Sequence, residues 1–170
     1  MTVSGADNIR FWEQYSETEK SSFLKSVAME THLLSVYNDS FAISDNEETF
    51  ELLDLLSDNK YGHSQTNAIV DAFYFHCFSK ILILADGALA EVMGYYCMRI
   101  VKNSPQYTIL YLMSHKEIRD AFVTYIGYEI YCSDDQNSIY EDLMNCLKVD
   151  TTFAEEFVAK IKNWVLQVGS

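Results

Sequence analysis

The spacing of apolar residues predicts amphipathic helices near both ends of the chain. Within residues 16–37 and 152–165, most apolar residues recur three or four positions apart, which places them on one face of a helix. Lys160 and Lys162 fall in the later turns of the second segment, where positive charge complements the helix dipole. Both segments are therefore predicted to be half-buried helices.

Capping residues predict where several helices begin. A Ser or Thr followed three residues later by Glu can exchange hydrogen bonds with the free backbone N–H groups of a first turn. Ser104-Pro105 and Asp86 give two further start signals of the usual kinds. The five Ser/Thr–Glu pairs are Ser16/Glu19, Ser44/Glu47, Ser114/Glu117, Ser138/Glu141 and Thr152/Glu155.

The middle of the chain leaves helix and strand as alternatives. Asp86-Gly87 between apolar runs is a hairpin signal, but the Ala-rich segment after Gly87 favours a helix. A helix from about Thr66 to Leu84 would be polar at Asp71 and Ser79 and buried nearly all round. The same ambiguity holds for residues 107–113 and 122–131. We predict an all-α bundle of seven or eight helices, with an α+β fold containing a small central sheet as the alternative.

Length and composition predict one domain over residues 1–170. Half of the residues are apolar, and one Pro and six Gly leave no linker between long segments. His76, Lys80 and Asp86 interrupt the longest apolar stretches, so no membrane-spanning helix is expected. No signal peptide opens the chain, which predicts a cytoplasmic protein without a membrane partner.

Cysteine and histidine spacing does not predict a metal site or a cofactor. Cys77, Cys97, Cys132 and Cys146 form no CxxC pair, and three of them lie in apolar or aromatic runs, so free buried thiols are expected. A zinc site from His76, Cys77 and Cys97 is the less favoured alternative. We interpret His76 as a core histidine with satisfied hydrogen bonds and His115 as a surface residue.

No catalytic motif occurs in the sequence. The chain lacks a nucleophile elbow, a P-loop and a dinucleotide-binding glycine motif. We therefore expect a non-enzymatic protein. An enzyme whose site assembles only in three dimensions stays open as an alternative.

Charge is the strongest functional signal. The net charge is −13, from 12 basic and 25 acidic residues, and the acidic excess lies mainly in residues 1–63 and 133–170. Such a surface attracts cationic partners and disfavours direct nucleic-acid binding, because phosphates would be repelled. The charge pattern predicts a basic protein partner.

One acidic stripe is predicted on the helix after Ser44. Four carboxylates follow at intervals that place them on a single helical face, and no basic residue within this helix offsets them. A solvated face that favours solubility and a docking stripe for a cationic protein are both consistent with this pattern. The four residues are Glu47, Glu51, Asp54 and Asp58.

A second acidic cluster surrounds the predicted helix start at Ser138. Tyrosines lie close by in sequence, at Tyr128, Tyr131 and Tyr140. Tyrosines beside carboxylates are common at protein interfaces, although tyrosines at the edge of the core would give the same pattern. The candidate partner-binding residues here are Asp134, Asp135, Tyr140, Glu141 and Asp142.

The whole chain resembles bacterial toxin-immunity proteins of the contact-dependent growth inhibition type. The resemblance is one of class and lies in small size, acidity, abundant Tyr and Asp/Glu, and absence of a signal peptide or active site. It implies a cytosolic protein that binds one cognate toxin domain, often a nuclease with a cationic cleft, and neutralises it stoichiometrically.

A second resemblance is to Bcl-2-like helical bundles, which bind amphipathic helices in a groove. Asp86-Gly87 before an apolar helix is similar to the start of that family's groove motif, and Trp164 is similar to part of its second motif. The chain departs from the first motif at residues 88–92 and from the second at residues 165–167. This function remains the alternative prediction.

Overall fold

A computed structural model describes residues 9–26, 31–63 and 68–170. In these residues the chain forms nine helices and no strand, so the predicted all-α bundle is confirmed and the α+β alternative is wrong. A short 3-10 turn, Trp12–Gln14, precedes the first helix. The helices are α1 (Glu17–Ser26), α2 (Thr31–Tyr37), α3 (Glu47–Asp58), α4 (Ala68–Leu84), α5 (Gly87–Asn103), α6 (Pro105–Ser114), α7 (Lys116–Tyr131), α8 (Gln136–Leu147) and α9 (Thr151–Val168). None of the helices in this part of the chain has the length and apolar character required to cross a membrane.

Helix α4 is the buried centre of the bundle. It packs against α2, α3, α7 and the 3-10 turn. Its two interior polar side chains are both satisfied: the Asp71 carboxylate accepts from Asn59 Nδ2 (3.0 Å) and the Gly62 N–H (2.8 Å), and Ser79 Oγ donates to the Tyr111 hydroxyl (3.2 Å). Because nearly every face is covered, α4 has no polar stripe, and its sequence alone did not distinguish a helix from a buried strand. The buried apolar residues of α4 are Ala72, Phe73, Phe75, Cys77, Phe78, Ile81 and Leu82.

The Asp86-Gly87 pair joins two helices and does not form a hairpin. Asp86 has extended backbone angles and occupies the N-cap position of α5. Gly87 follows with a φ of +53°, a conformation that residues with a Cβ adopt at a cost. The pair thus turns the chain sharply between α4 and α5.

Two glycines let α5, α7 and α9 approach closely. A Cβ on Gly94 of α5 would lie less than 3.0 Å from the Tyr125 carbonyl oxygen of α7. A Cβ on Gly127 of α7 would lie 2.5 Å from the Trp164 ring of α9. The absence of a side chain at these two positions therefore sets the spacing of the three helices.

Only one of the five predicted capping boxes forms. The Glu19 N–H donates to Ser16 Oγ (3.1 Å), and the Ser16 N–H donates to Glu19 Oε1 (3.0 Å). The boxes predicted at Ser44, Ser114, Ser138 and Thr152 are wrong. Ser114 Oγ instead donates to the Leu110 carbonyl (3.2 Å) at the end of α6.

Neighbouring Asn and Asp residues cap three of these helices. Asn46 accepts from the Thr49 N–H (2.8 Å) at α3, Asp135 from the Ser138 N–H (3.4 Å) at α8, and Asp150 from the Phe153 N–H (3.0 Å) at α9. Asn and Asp cap at least as well as Ser and Thr, so a nearby Asn or Asp displaces the predicted helix start by two residues at α3 and α9 and by three at α8. His115 occupies the N-cap position of α7.

The prediction of buried thiols is correct for two of the four cysteines. Cys77 and Cys97 are fully buried, whereas Cys146 is half-buried and Cys132 is exposed. Cys132 was expected to be buried because it ends an apolar run. It is exposed because α7 ends at Tyr131 and Cys132 is its C-cap residue.

Candidate functional site

The predicted acidic stripe lies on the solvent face of α3. Glu47, Glu51, Asp54 and Asp58 are all exposed. The opposite face of the helix carries Leu52, Leu53 and Leu56, which are buried in the core. The amphipathic pattern therefore orients the four carboxylates outward together.

Arg99 of the adjacent helix α5 neutralises half of this stripe. Its guanidinium lies 3.4 Å from Asp54 Oδ1 and also forms an ion pair with Asp58. No basic residue lies within α3, as the sequence indicated, and the cation that offsets these two carboxylates comes from α5. Within the part of the chain that the structure describes, Glu47 and Glu51 have no ion-pair partner.

An exposed aromatic side chain borders the same ion pairs. The Arg99 guanidinium lies 5.6 Å from the centre of the Tyr95 ring, and Tyr95 is 51% exposed. Tyr96, in edge contact with Tyr95 at 5.1 Å, is buried, and this burial, together with the charge of Asp54, raises the pKa of its hydroxyl. We refer to Glu47, Glu51, Asp54, Asp58, Tyr95 and Arg99 as the α3–α5 face.

The second predicted cluster surrounds the start of α8. Asp134, Asp135, Glu141 and Asp142 are exposed, but Asp135 also serves as the N-cap of the helix. Tyr140 is half-buried, and Lys162 of α9 lies 5.1 Å from the centre of its ring. Tyr140 is thus partly covered by the chain's own cation, which makes it a poorer anchor for a partner than the sequence suggested.

A groove that the sequence did not predict lies between the 3-10 turn, α4 and the junction of α6 and α7. Its volume is about 500 Å³, and we call it the α4–α6 groove. The exposed side chains of Ile83 and Leu84 give it an apolar rim. Its polar lining includes Glu13, Asp39, His76, Lys80 and His115.

His115, which the sequence suggested to be a surface residue, is half-buried and lines this groove. Its ring stacks on Tyr111 at 3.8 Å, and its Nε2 atom contacts the Glu13 carboxylate. The Nδ1 atom lies 2.8 Å from the Tyr111 carbonyl oxygen. His115 therefore links the 3-10 turn, through Glu13, to the end of α6.

His76 is half-buried and lines the groove, in contrast to the satisfied core histidine that was expected. Its ring lies 6.2 Å from that of Trp12 and 5.7 Å from that of Tyr37, and no residue in the described ranges forms a hydrogen bond with it. Burial, aided by the positive charge of Lys80, lowers the pKa of His76 to about 4. The imidazole is therefore neutral at pH 7.

The other polar groups near the groove are engaged by structural contacts. Lys80 pairs with Asp39 (2.7 Å) and donates to the Tyr37 carbonyl (2.8 Å), which ties α4 to the end of α2. Burial raises the pKa of Tyr111 to about 12 and that of the Cys77 thiol to about 12. Neither group is therefore held as an anionic nucleophile at neutral pH.

No metal-binding arrangement is found in residues 9–26, 31–63 and 68–170. No group of three or more His, Cys, Asp or Glu residues there is placed to hold an ion. The alternative zinc site is not supported, since Cys97 is fully buried and its pKa is raised by that burial. The Cys77 thiol donates instead to the Leu33 carbonyl at 3.9 Å.

Comparison with known proteins gave no relative. The chain matches no protein-family model, no curated protein and no solved structure.

Proposed function

We propose that the protein binds and neutralises a cognate basic toxin domain in the cytoplasm, as bacterial immunity proteins do, and that this domain is a nuclease. The observation that carries the proposal is the α3–α5 face. Among the described residues, Glu47 and Glu51 on this face have no ion-pair partner, and Tyr95, beside Arg99, is exposed. Charge complementarity speeds the encounter of such a face with a cationic protein, and an aromatic side chain supplies the desolvated anchor.

Arg99 gives this face two distinct halves. Asp54 and Asp58 pair with its guanidinium, whereas Glu47 and Glu51, which have no ion-pair partner among the described residues, are available to a partner's cations. A cationic cleft that evolved to bind phosphates would meet the carboxylates of Glu47 and Glu51 at the end of the α3–α5 face that Arg99 does not neutralise. The acidic cluster at the start of α8 is a second candidate contact for the same partner.

The first experiment is to find the partner and then test it as a purified protein. The tagged chain is used to capture proteins from its host lysate, which are then eluted with a salt gradient and identified. We expect a basic domain whose toxicity in cells is suppressed when this chain is co-expressed. A purified partner that is not basic, or whose activity and toxicity are unchanged by the bound chain, contradicts the proposal.

The second experiment locates the contact on the molecule. Because Glu47 and Glu51 make no ion pair in the described part of the chain, replacing both with Lys changes the charge without breaking a structural contact. The Glu47→Lys/Glu51→Lys variant should associate with the purified partner at least about tenfold more slowly at low salt, with a smaller effect at high salt.

A variant with the same change of charge on α9 serves as the matched control. Glu155 and Glu156 are exposed and lie outside the α3–α5 face, so Glu155→Lys/Glu156→Lys changes the net charge equally. Equal slowing by the two variants would show that only net charge matters and would remove the α3–α5 face as the docking site. Circular dichroism on both variants verifies that the bundle is intact.

A further inference from the structure

A second, smaller pocket opens on the surface between α5, α7 and α9. Its volume is about 250 Å³, and its walls are mainly aromatic with one carboxylate. None of its residues belongs to the α3–α5 face, the α8 cluster or the α4–α6 groove. The lining residues are Ala90, Glu91, Thr124, Tyr125, Tyr128 and Trp164.

Two of the aromatic walls are held in place by the surrounding helices. The Tyr125 hydroxyl lies within hydrogen-bonding distance of two carbonyl oxygens at the end of α4, those of Leu82 (3.4 Å) and Ala85 (3.3 Å). The Trp164 ring lies directly over Gly127, where a Cβ would overlap it. A site whose walls are fixed before binding loses little conformational entropy when a ligand enters.

Glu91 supplies the carboxylate of the pocket. It is exposed, and no cation in the described ranges pairs with it. Glu91 lines the same pocket as the rings of Tyr125, Tyr128 and Trp164, so its side chain lies beside the aromatic wall. The pocket therefore combines ring faces with a negative charge.

Five cations of the described residues lie over other aromatic rings. Arg10, Lys20, Lys80, Arg99 and Lys162 each lie over a ring elsewhere in the structure. Within the ranges that the structure describes, no Lys or Arg lies over the three rings of this pocket. Ring faces attract cations through their quadrupole, and most strongly cations that are weakly hydrated.

We propose that this pocket binds an alkylammonium group between Trp164, Tyr125 and Tyr128, with Glu91 as the counter-charge. The ammonium group belongs either to a small free cation such as choline or to a methylated lysine side chain. The proposal stands on the pocket and does not depend on the toxin partner proposed above.

Nuclear magnetic resonance of the tryptophan side chains tests this directly. The protein has two tryptophans, so its two indole N–H signals report separately on Trp164 and on the buried Trp12. Choline chloride, titrated at constant ionic strength, should shift the Trp164 signal saturably and leave the Trp12 signal in place. A Trp164 signal that does not shift, or a shift that does not saturate, overturns the proposal.

Two comparisons with choline identify the source of any shift in the Trp164 signal. The uncharged isostere 3,3-dimethylbutan-1-ol should bind at least about tenfold more weakly than choline, and equal binding would show an apolar pocket only. A short peptide carrying trimethyllysine is titrated in parallel. Tighter binding of the peptide indicates a protein side chain as the natural ligand, and tighter binding of choline indicates a free cation; both results support an alkylammonium site.

Two matched variants test the role of Glu91. Glu91→Gln keeps the shape of the side chain and removes its charge, so it should weaken choline binding by roughly three- to tenfold. Glu155→Gln makes the same change on an exposed residue of α9 outside the pocket and should leave binding unchanged. Equal affinities in the two variants would overturn the assignment of Glu91 as the counter-charge.

Discussion

Gly94 is the residue on which the contact between α5 and α7 depends most directly. An added Cβ would overlap the Tyr125 carbonyl oxygen, a backbone atom that cannot rotate away. We expect Gly94→Ala to lower the free energy of unfolding by about 1–3 kcal/mol or more, because the two helices must separate. Urea unfolding monitored by circular dichroism measures this change.

Gly87→Ala is the appropriate comparison for that variant. Nothing lies within 4 Å of the position of its Cβ, so only the strain of a φ of +53° remains, at about 1–2 kcal/mol. Gly94→Ala should therefore be the less stable of the two. If Gly94→Ala unfolds at the same urea concentration as the wild type, α5 and α7 do not approach each other closely at this position.

His76 makes a second prediction at the residue scale, through its pKa of about 4. An unfolded chain protonates this imidazole near pH 6.5, whereas the folded chain keeps it neutral. Between these values the unfolded state binds more protons, so the stability contribution is present above pH 6.5 and is lost as the pH falls towards 4. The loss should amount to about 2–3 kcal/mol.

A variant without this imidazole isolates the effect from the many carboxylates of the chain. The free energies of unfolding of the wild type and His76→Gln are compared at pH 7 and at pH 4.5. We expect the wild type to lose more stability than the variant over this interval. A difference between the two proteins that is independent of pH would contradict the lowered pKa.

At the scale of helices, the sequence predicted helix faces better than helix ends. The outward carboxylates and inward leucines of α3 follow from a period of 3.6 residues, which is local information. Capping depends on which of several neighbouring polar residues reaches the first-turn N–H groups, and Asp150 does so where Thr152 was predicted. The Ser/Thr–Glu spacing that predicts a capping box does not indicate which of these neighbouring polar residues will cap the helix.

Helix α9 offers a direct test of that correction. Asp150→Ala removes the acceptor for the Phe153 N–H and should reduce the free energy of unfolding by about 1 kcal/mol. Thr152→Ala, at the predicted cap, should change it by no more than a few tenths of a kcal/mol, because Thr152 is exposed within the helix. The opposite order of the two variants would restore the predicted capping box.

At the scale of the whole molecule, pairing between distant segments was the information that the sequence lacked. Arg99 lies 45 residues from Asp54, with which it pairs, and His115 lies 102 residues from Glu13. No periodicity or motif links such positions, so neither the half-neutralised stripe nor the α4–α6 groove could be predicted. The net charge needs no such pairing and was available from composition alone.

That net charge of −13 should itself limit stability at low ionic strength. Raising sodium chloride from about 0.01 to 0.3 M shortens the screening length from about 30 Å to less than 10 Å, which reduces repulsion between distant carboxylates. In the described residues, the carboxylate of every ion pair is exposed, so the weakening of these pairs by salt offsets little of this gain. We therefore expect the Tm to rise with salt.

The Glu47→Lys/Glu51→Lys variant serves as the control for this prediction. It carries less excess charge and should show a smaller rise in Tm. A wild-type Tm that falls as salt is added would mean that the ion pairs contribute more to stability than self-repulsion costs.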